Sequence, residues 1–319
     1  MDNLIFAMNA TMPVFLVIVL GWFCRQKGLL NKEFTGVADK FVFRVASPCL
    51  LFYDISTSDF YGTFDPGFVV FCVVGSILMF LISWGVAVLF LKDKTIVSAF
   101  GQGAARGSAA ILGIAFMMNL YGEVGQLPMM IASSVPIFNV MSVIILTFSA
   151  PPDENAPKLD GKALVKDSLY KIATNPLIIG ILLGLIAAIL RLELPVMINK
   201  TISNIGGLTS PLALLCIGAD FDGRKAINRL KPILWATAFK LVIFPAIFLP
   251  IAILMGYTHD KLIAVLIMTG TATTVSCYVM AKNMRGDAVL TSSIVVVSTL
   301  FSAVTMTFWI WLLRVQGLI

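Results

Sequence analysis

Arg106 is the residue of this 319-residue chain whose position most needs a chemical reason. It lies in the stretch 101–122, GQGAARGSAAILGIAFMMNLYG, which is apolar enough to enter a bilayer and holds five glycines, at 101, 103, 107, 113 and 122. At a helical rise of about 1.5 Å per residue, a span starting near Ile96 carries Arg106 roughly 15 Å deep, close to the middle of a ~30 Å hydrocarbon core. Holding an arginine there costs at least ~2.5–3.5 kcal/mol, so it must face a cavity or a partner. A guanidinium in such a place can hold a carboxylate by two parallel hydrogen bonds. The bland alternative is a structural arginine satisfied by neighbouring carbonyls, or one facing a cytoplasmic cavity.

Other polar residues fall at comparable depth. The stretch KLIAVLIMTGTATTVSCYVMAK places Gly270, Thr271, Thr273, Thr274 and Ser276 about ten residues from its outer end. Hydroxyls of this kind often bond back to their own helix or line a packing seam, but a cluster at the depth of Arg106 points towards a binding site. Asn139 follows Pro136 by three residues in a helix that also holds Ser133, Ser134 and Ser142. Lys240 lies about nine residues, roughly 12 Å, inside its span. It either snorkels to the cytoplasmic face or stays buried and carries a coupling proton. Asp54 and Asp220 read as interfacial, and the single histidine, His259, as surface. Nothing here has the spacing of a metal site or of a catalytic nucleophile with its base, so we expect no metal, no cofactor and no enzymatic activity.

These residues are positioned by membrane helices. The chain is 59% hydrophobic and 13% charged, with a mean hydropathy of +0.95, outside the range of soluble domains. Its net charge of +6 reflects basic loops, and no nucleic-acid motif accompanies it. The five cysteines sit in or beside apolar stretches without a CxxC pair and read as packing residues. The opening MDN is acidic, so the first apolar run reads as a retained helix and not as a cleaved leader. Ten spans can be drawn, at 4–24, 36–57, 67–91, 96–120, 127–149, 172–190, 196–219, 232–255, 262–281 and 288–313. Fifteen loop lysines and arginines then follow odd-numbered spans against four on the other side, which places both termini outside a cell membrane. The longest connection, 150–171, is a polar cytoplasmic linker.

The two halves repeat. A constant offset of 163 carries Pro13, Gly21, Ser47, Pro48 and Leu51 onto Pro176, Gly184, Ser210, Pro211 and Leu214. Five matches at one offset favour duplication, and five spans per copy require the second copy to be inverted. The repeats are 1–149 and 172–319, separated by the linker 150–171. Inverted repeats place substrate where interrupted helices of the two halves meet, which pairs span 4 with span 9.

With RGSAAILGIA, Asn175–Pro176, SPLALLCIGA and YVMAKNMRGD, the chain resembles the auxin efflux carrier family across essentially its whole length. The resemblance implies an all-α membrane protein of ten helices in two inverted five-helix repeats. Spans 1, 2, 6 and 7 would form a scaffold that dimerises, and spans 3–5 and 8–10 a moving domain in which spans 4 and 9 break and cross. It also implies an organic-anion substrate such as auxin, malate or malonate. Family members commonly carry proline at both crossings, and an asparagine seven residues before the first. Here those positions align with Ala115, Ala272 and Ser108, so the expected breaks fall at Gly113–Ala115 and Gly270–Ala272.

The expectation is a secondary transporter of a small organic anion, with substrate contacts from Arg106, Ser108, Gly113, Asn139, Thr271, Thr273, Thr274 and Ser276. The coupling ion stays open between H+ and Na+, with Lys240 as the proton candidate. A cation/proton antiporter would ordinarily need midplane carboxylates, and spans 4, 5, 9 and 10 hold none in their interiors. A sodium-coupled symporter of the bile-acid type, or a membrane ligand sensor that does not transport, are the competing readings. The chain has no GxxxxGK[ST] loop with which to use ATP.

Overall fold

A computed structural model describes residues 2–57, 65–149 and 161–319, and these are helical with no strand among them. The first half holds α1 (Asp2–Gln26), α2 (Lys32–Phe41), α3 (Ser47–Ser56), α4 (Pro66–Phe90), α5 (Val97–Ala105), α6 (Ala109–Tyr121) and α7 (Leu127–Phe148). Then follow α8 (Gly161–Ala173), α9 (Pro176–Ile189), α10 (Val196–Gly207), α11 (Thr209–Asp220), α12 (Gly223–Asn228), α13 (Leu230–Ala238), α14 (Phe244–Leu254), α15 (His259–Gly270), α16 (Ser276–Asn283) and α17 (Ala288–Val315). Residues 161–171 of the sequence-predicted linker are thus helical, and its residues 150–160 lie outside the described ones.

Among the described residues, five helical stretches are long and apolar enough to cross a membrane: Pro66–Phe90, Leu127–Phe148, Val196–Asp220, Leu230–Leu254 and Ala288–Val315. The end of α8 and α9, bent by 57° at Thr174–Asn175, make a sixth if counted together. Large apolar side chains such as Phe90, Val196, Met197 and Leu254 stand exposed on the outer surface, as a lipid-facing wall requires.

Two π-helical turns interrupt otherwise continuous helices, and each precedes a proline. Val42–Ala46 joins α2 to α3 just before Pro48, and Phe239–Ile243 joins α13 to α14 just before Pro245. A proline cannot donate to the carbonyl four residues back and its ring crowds that carbonyl, so the helix widens there. The carbonyl that Pro245 leaves without a helical donor, Leu241 O, takes the Trp309 indole N–H at 3.0 Å. The widened turn is what carries Lys240 inward.

The core has two main bodies. Phe68, Phe80, Met130, Phe138, Phe244, Phe248 and Ile267 tie α4, α7, α14 and α15 together. Ile18, Leu51, Ile55, Leu177, Ile181, Leu214 and Ile217 do the same for α1, α3, α9 and α11. Several glycine contacts bring backbones together in the second body, among them those of Gly21 and Gly184. A Cβ on Gly21 of α1 would lie 2.3 Å from Leu215 O of α11, and one on Gly184 of α9 would lie 3.1 Å from Phe52 O of α3.

Candidate functional site

The chain of the fourth expected span leaves helical geometry at Arg106–Ser108, and that of the ninth at Thr271–Val275. The first break therefore lies seven residues or so before the expected position. Gly113 and Ala115 belong to the body of α6, and the side chain of Ala115 lies outside the described residues. Gly113 serves packing instead, since a Cβ there would meet Ile267 Cγ2 at 2.9 Å and Leu127 Cδ1 at 3.1 Å. In the other break, Gly270 is the last residue of α15 and Ala272 sits in the extended segment. The reason is mutual support. Backbone groups freed by one break find partners in the other, so the breaks settle where the two segments pass each other, at Gly107 and just after Gly270.

The two extended segments form a short antiparallel bridge between Gly107 and Thr273. Ser108 N donates to Ala272 O at 2.8 Å, and Thr274 N donates to Arg106 O at 3.4 Å. Thr273 closes the crossing from both sides: its hydroxyl donates to Gly103 O at 2.8 Å and its N–H donates to Ser298 Oγ at 3.0 Å. Thr271 bonds back to Ile267 O at 2.9 Å. Gly107 is the residue without which the segments could not approach. A Cβ there would fall 2.6 Å from Thr271 Oγ1 and 2.8 Å from Lys240 Nζ.

Arg106 leaves this crossing with its side chain buried. Nη2 donates to Asn139 Oδ1 at 2.7 Å, and Nη1 lies 2.7 Å from the Met280 sulfur, a weak acceptor. Asn139 is held in turn by its own amide, which donates to Val135 O at 2.8 Å. No carboxylate among the described residues pairs with Arg106. A guanidinium so placed is short of acceptors, and an anion would supply them.

Beside it is a pocket of ≈ 20 Å³, about the space one water needs. Arg106, Asn139, Ser276 and Met280 line one wall, and Ser47, Leu51 and Leu177 the other. Of the sequence-predicted contacts, the structure thus gathers Arg106, Asn139 and Ser276 on the pocket. Ser108, Thr271, Thr273 and Thr274 build the crossing through backbone and hydroxyl bonds, and Gly113 stands apart in α6.

Sequence reasoning passed over three residues. Ser47 entered only as a repeat marker, yet its buried hydroxyl has no partner and lines the pocket. Gln102, one turn before Arg106, donates to Cys277 O at 3.1 Å and leaves its own side-chain oxygen buried without a donor. Its place in the GQGAARG run was the available signal. Lys282 was counted as a loop charge. In the structure its ammonium bridges the carboxylates of Asp39 and Asp220, and the Tyr278 hydroxyl also lies on both, 3.3 Å from Asp39 Oδ2 and 3.0 Å from Asp220 Oδ2. Asp220 is accordingly part of a partly buried ion-pair cluster that joins α2 and α11 to α16.

Nearly the whole chain is similar to known proteins. A protein of Rhizobium meliloti (strain 1021) named "Putative malonate transporter" is 22% identical over 310 residues, covering 95% of this chain and 94% of its own. An uncharacterized transporter of Methanocaldococcus jannaschii is 21% identical over 321 residues, covering 96% of this chain and 98% of its own. A family model described as membrane transport protein matches residues 6–310, and the chain belongs to that family, the auxin efflux carrier-like membrane transport proteins.

Proposed function

We propose that this chain is a secondary transporter of a small organic anion, with Arg106 as the anion's principal partner. The observation that carries the reading is the buried guanidinium of Arg106, held by one amide oxygen and one thioether at the wall of a pocket between two groups of helices. A dicarboxylate of the malonate class suits it, as the name of the Rhizobium relative also suggests. The pocket is far too small for such a molecule in this conformation. Binding therefore requires the Ser47–Leu177 wall to separate from the Arg106–Ser276 wall, which is the motion that alternating access needs.

In this reading the ten expected spans form two inverted repeats, 1–149 and 172–319. The reciprocal glycine contacts support it: Gly21 against Leu215 and Gly184 against Phe52 are the same contact under the offset of 163, with the roles of the halves exchanged. Spans 1, 2, 6 and 7 are the scaffold and the homodimer surface. Spans 3–5 and 8–10 are the moving domain. The protein lies in the cell membrane with both termini outside, acts without a bound cofactor and is not an enzyme.

Counterflow in proteoliposomes tests this. Malonate, malate and indole-3-acetate are offered with and without sodium at two pH values. We expect saturable exchange of at least one, abolished in Arg106→Ala. A folded protein that is stabilised by one of these anions but exchanges none would be a ligand sensor instead.

A further inference from the structure

The crossing has a second cation besides Arg106, at the C-terminal end of α15. Lys240 is fully buried, and its ammonium donates to Met268 O and Thr269 O, each at 2.9 Å. These carbonyls belong to the last turn of α15, which ends at Gly270. A helix C-terminus carries partial negative charge and carbonyls without helical donors, and it draws a cation. On the other side of the ammonium lies Gly107, so close that a Cβ there would come within 2.8 Å of Nζ. No carboxylate among the described residues pairs with Lys240. In membrane carriers with interrupted helices, freed carbonyls and half-helix C-terminal ends are the groups that coordinate a sodium ion.

We propose that Lys240 is the resident cation of the crossing: its ammonium occupies, by covalent attachment, the position at the α15 C-terminus that a free sodium ion would otherwise fill. The π-helical turn before Pro245 presents the side chain there, and Gly107 leaves room for it. The crossing then takes no Na+, and its two broken helices stay together irrespective of the cation outside. This deepens the transporter reading by removing sodium coupling at the crossing, though the test below needs no transport.

The test is thermal unfolding of the purified chain in sodium chloride and in choline chloride at equal ionic strength, with binding of radioactive sodium measured alongside. We expect the wild type to melt at one temperature in both salts and to bind no sodium at this site. Lys240→Met should melt lower in choline chloride, recover most of that loss in sodium chloride, and bind sodium. Lys240→Gln keeps a donor for Met268 O and Thr269 O but no charge, and provides the same comparison if the methionine variant does not fold. It should show the same recovery in sodium. A wild type stabilised by sodium would overturn the proposal. So would variants that sodium does not restore, or a glutamine variant that matches the wild type in both salts. Should the transporter reading fail, wild-type protein would exchange no anion in any salt, while the sodium response of the variants would be unaffected.

Discussion

Arg106 Nη2 donates to Asn139 Oδ1 at 2.7 Å, joining the end of α5 to the middle of α7 in the wall of the small pocket. This bond sets what each partner can be exchanged for. Asn139→Asp would place a carboxylate against the guanidinium and occupy it from within. Anion affinity should fall tenfold or more, roughly 1.4 kcal/mol, with the fold intact. Asn139→Ala would leave Arg106 with the Met280 sulfur alone and should cost about 1–3 kcal/mol of stability. Anion-induced shifts of the melting temperature measure both, and an aspartate variant with unchanged affinity would take this pair out of the site.

Ser47 lines the same pocket as Arg106 with a buried hydroxyl that has no partner. Ser47→Val should fill the space and obstruct the anion while leaving the melting temperature of the unliganded protein the same or slightly higher. Ser47→Ala should be neutral for stability and weaken binding. If both variants exchange anions like the wild type, the pocket is not on the substrate path.

Gly107 should tolerate no side chain. Gly107→Ala would drive a carbon into Thr271 Oγ1 and Lys240 Nζ, at 2.6 and 2.8 Å, and we expect a loss of about 1–3 kcal/mol. Adding Thr271→Ala removes one of the two clashes and should recover part of it. A double-mutant cycle by thermal or denaturant unfolding reads the coupling, and additive effects would contradict it.

Lys282 holds two carboxylates that belong to α2 and α11, while it belongs to α16. Lys282→Met would leave Asp39, whose side chain is 2% exposed, facing Asp220 without a counter-charge. The expected cost is about 3 kcal/mol, the lower end for breaking a buried pair, because the lysine is partly exposed. Asp220→Asn in that background should restore some of the loss. In exchange assays Lys282→Met should alter rate more than affinity, since the cluster joins α2 and α11 to α16 and none of Asp39, Asp220 and Lys282 lines the pocket.

Outside the membrane, Asp65 caps α4 through Phe68 N and binds Lys261 of α15 at 2.5 Å, which holds its carboxyl below the ordinary value of 3.8. A carboxylate depressed in the folded state contributes stability that is present above its ordinary value and is lost as pH falls through the lower folded one. Asp65→Asn should therefore lower the melting temperature by a constant amount from neutral pH down to about that value. The difference should close only below it. A gap that varied between pH 6 and pH 8 would point to another group.

What the sequence determined by itself was the class of molecule and the presence of one arginine deep in an apolar stretch. Apolar stretches of membrane length, basic residues on alternate loops and an offset of 163 are properties of order along the chain, and they require no knowledge of contacts. Arg106 was legible for the same reason, because a charge inside an apolar stretch is costly wherever the stretch packs. Ser276 and Asn139 were legible as polar groups at similar depth.

The position of the breaks was decided by tertiary structure. The family resemblance put the first break at Gly113–Ala115, but the chain opens at Arg106–Ser108, where Ala272 O and Thr273 lie across the crossing to bond what is freed. Lys240 left two readings open along the chain, and only the approach of α15 brought its ammonium onto Met268 O and Thr269 O. The places of Ser47 in the pocket lining and of Lys282 between two carboxylates were invisible along the chain because the groups around them are distant in sequence. A hydroxyl becomes a pocket wall, and a lysine a bridge between two carboxylates, only when another helix supplies the opposing surface.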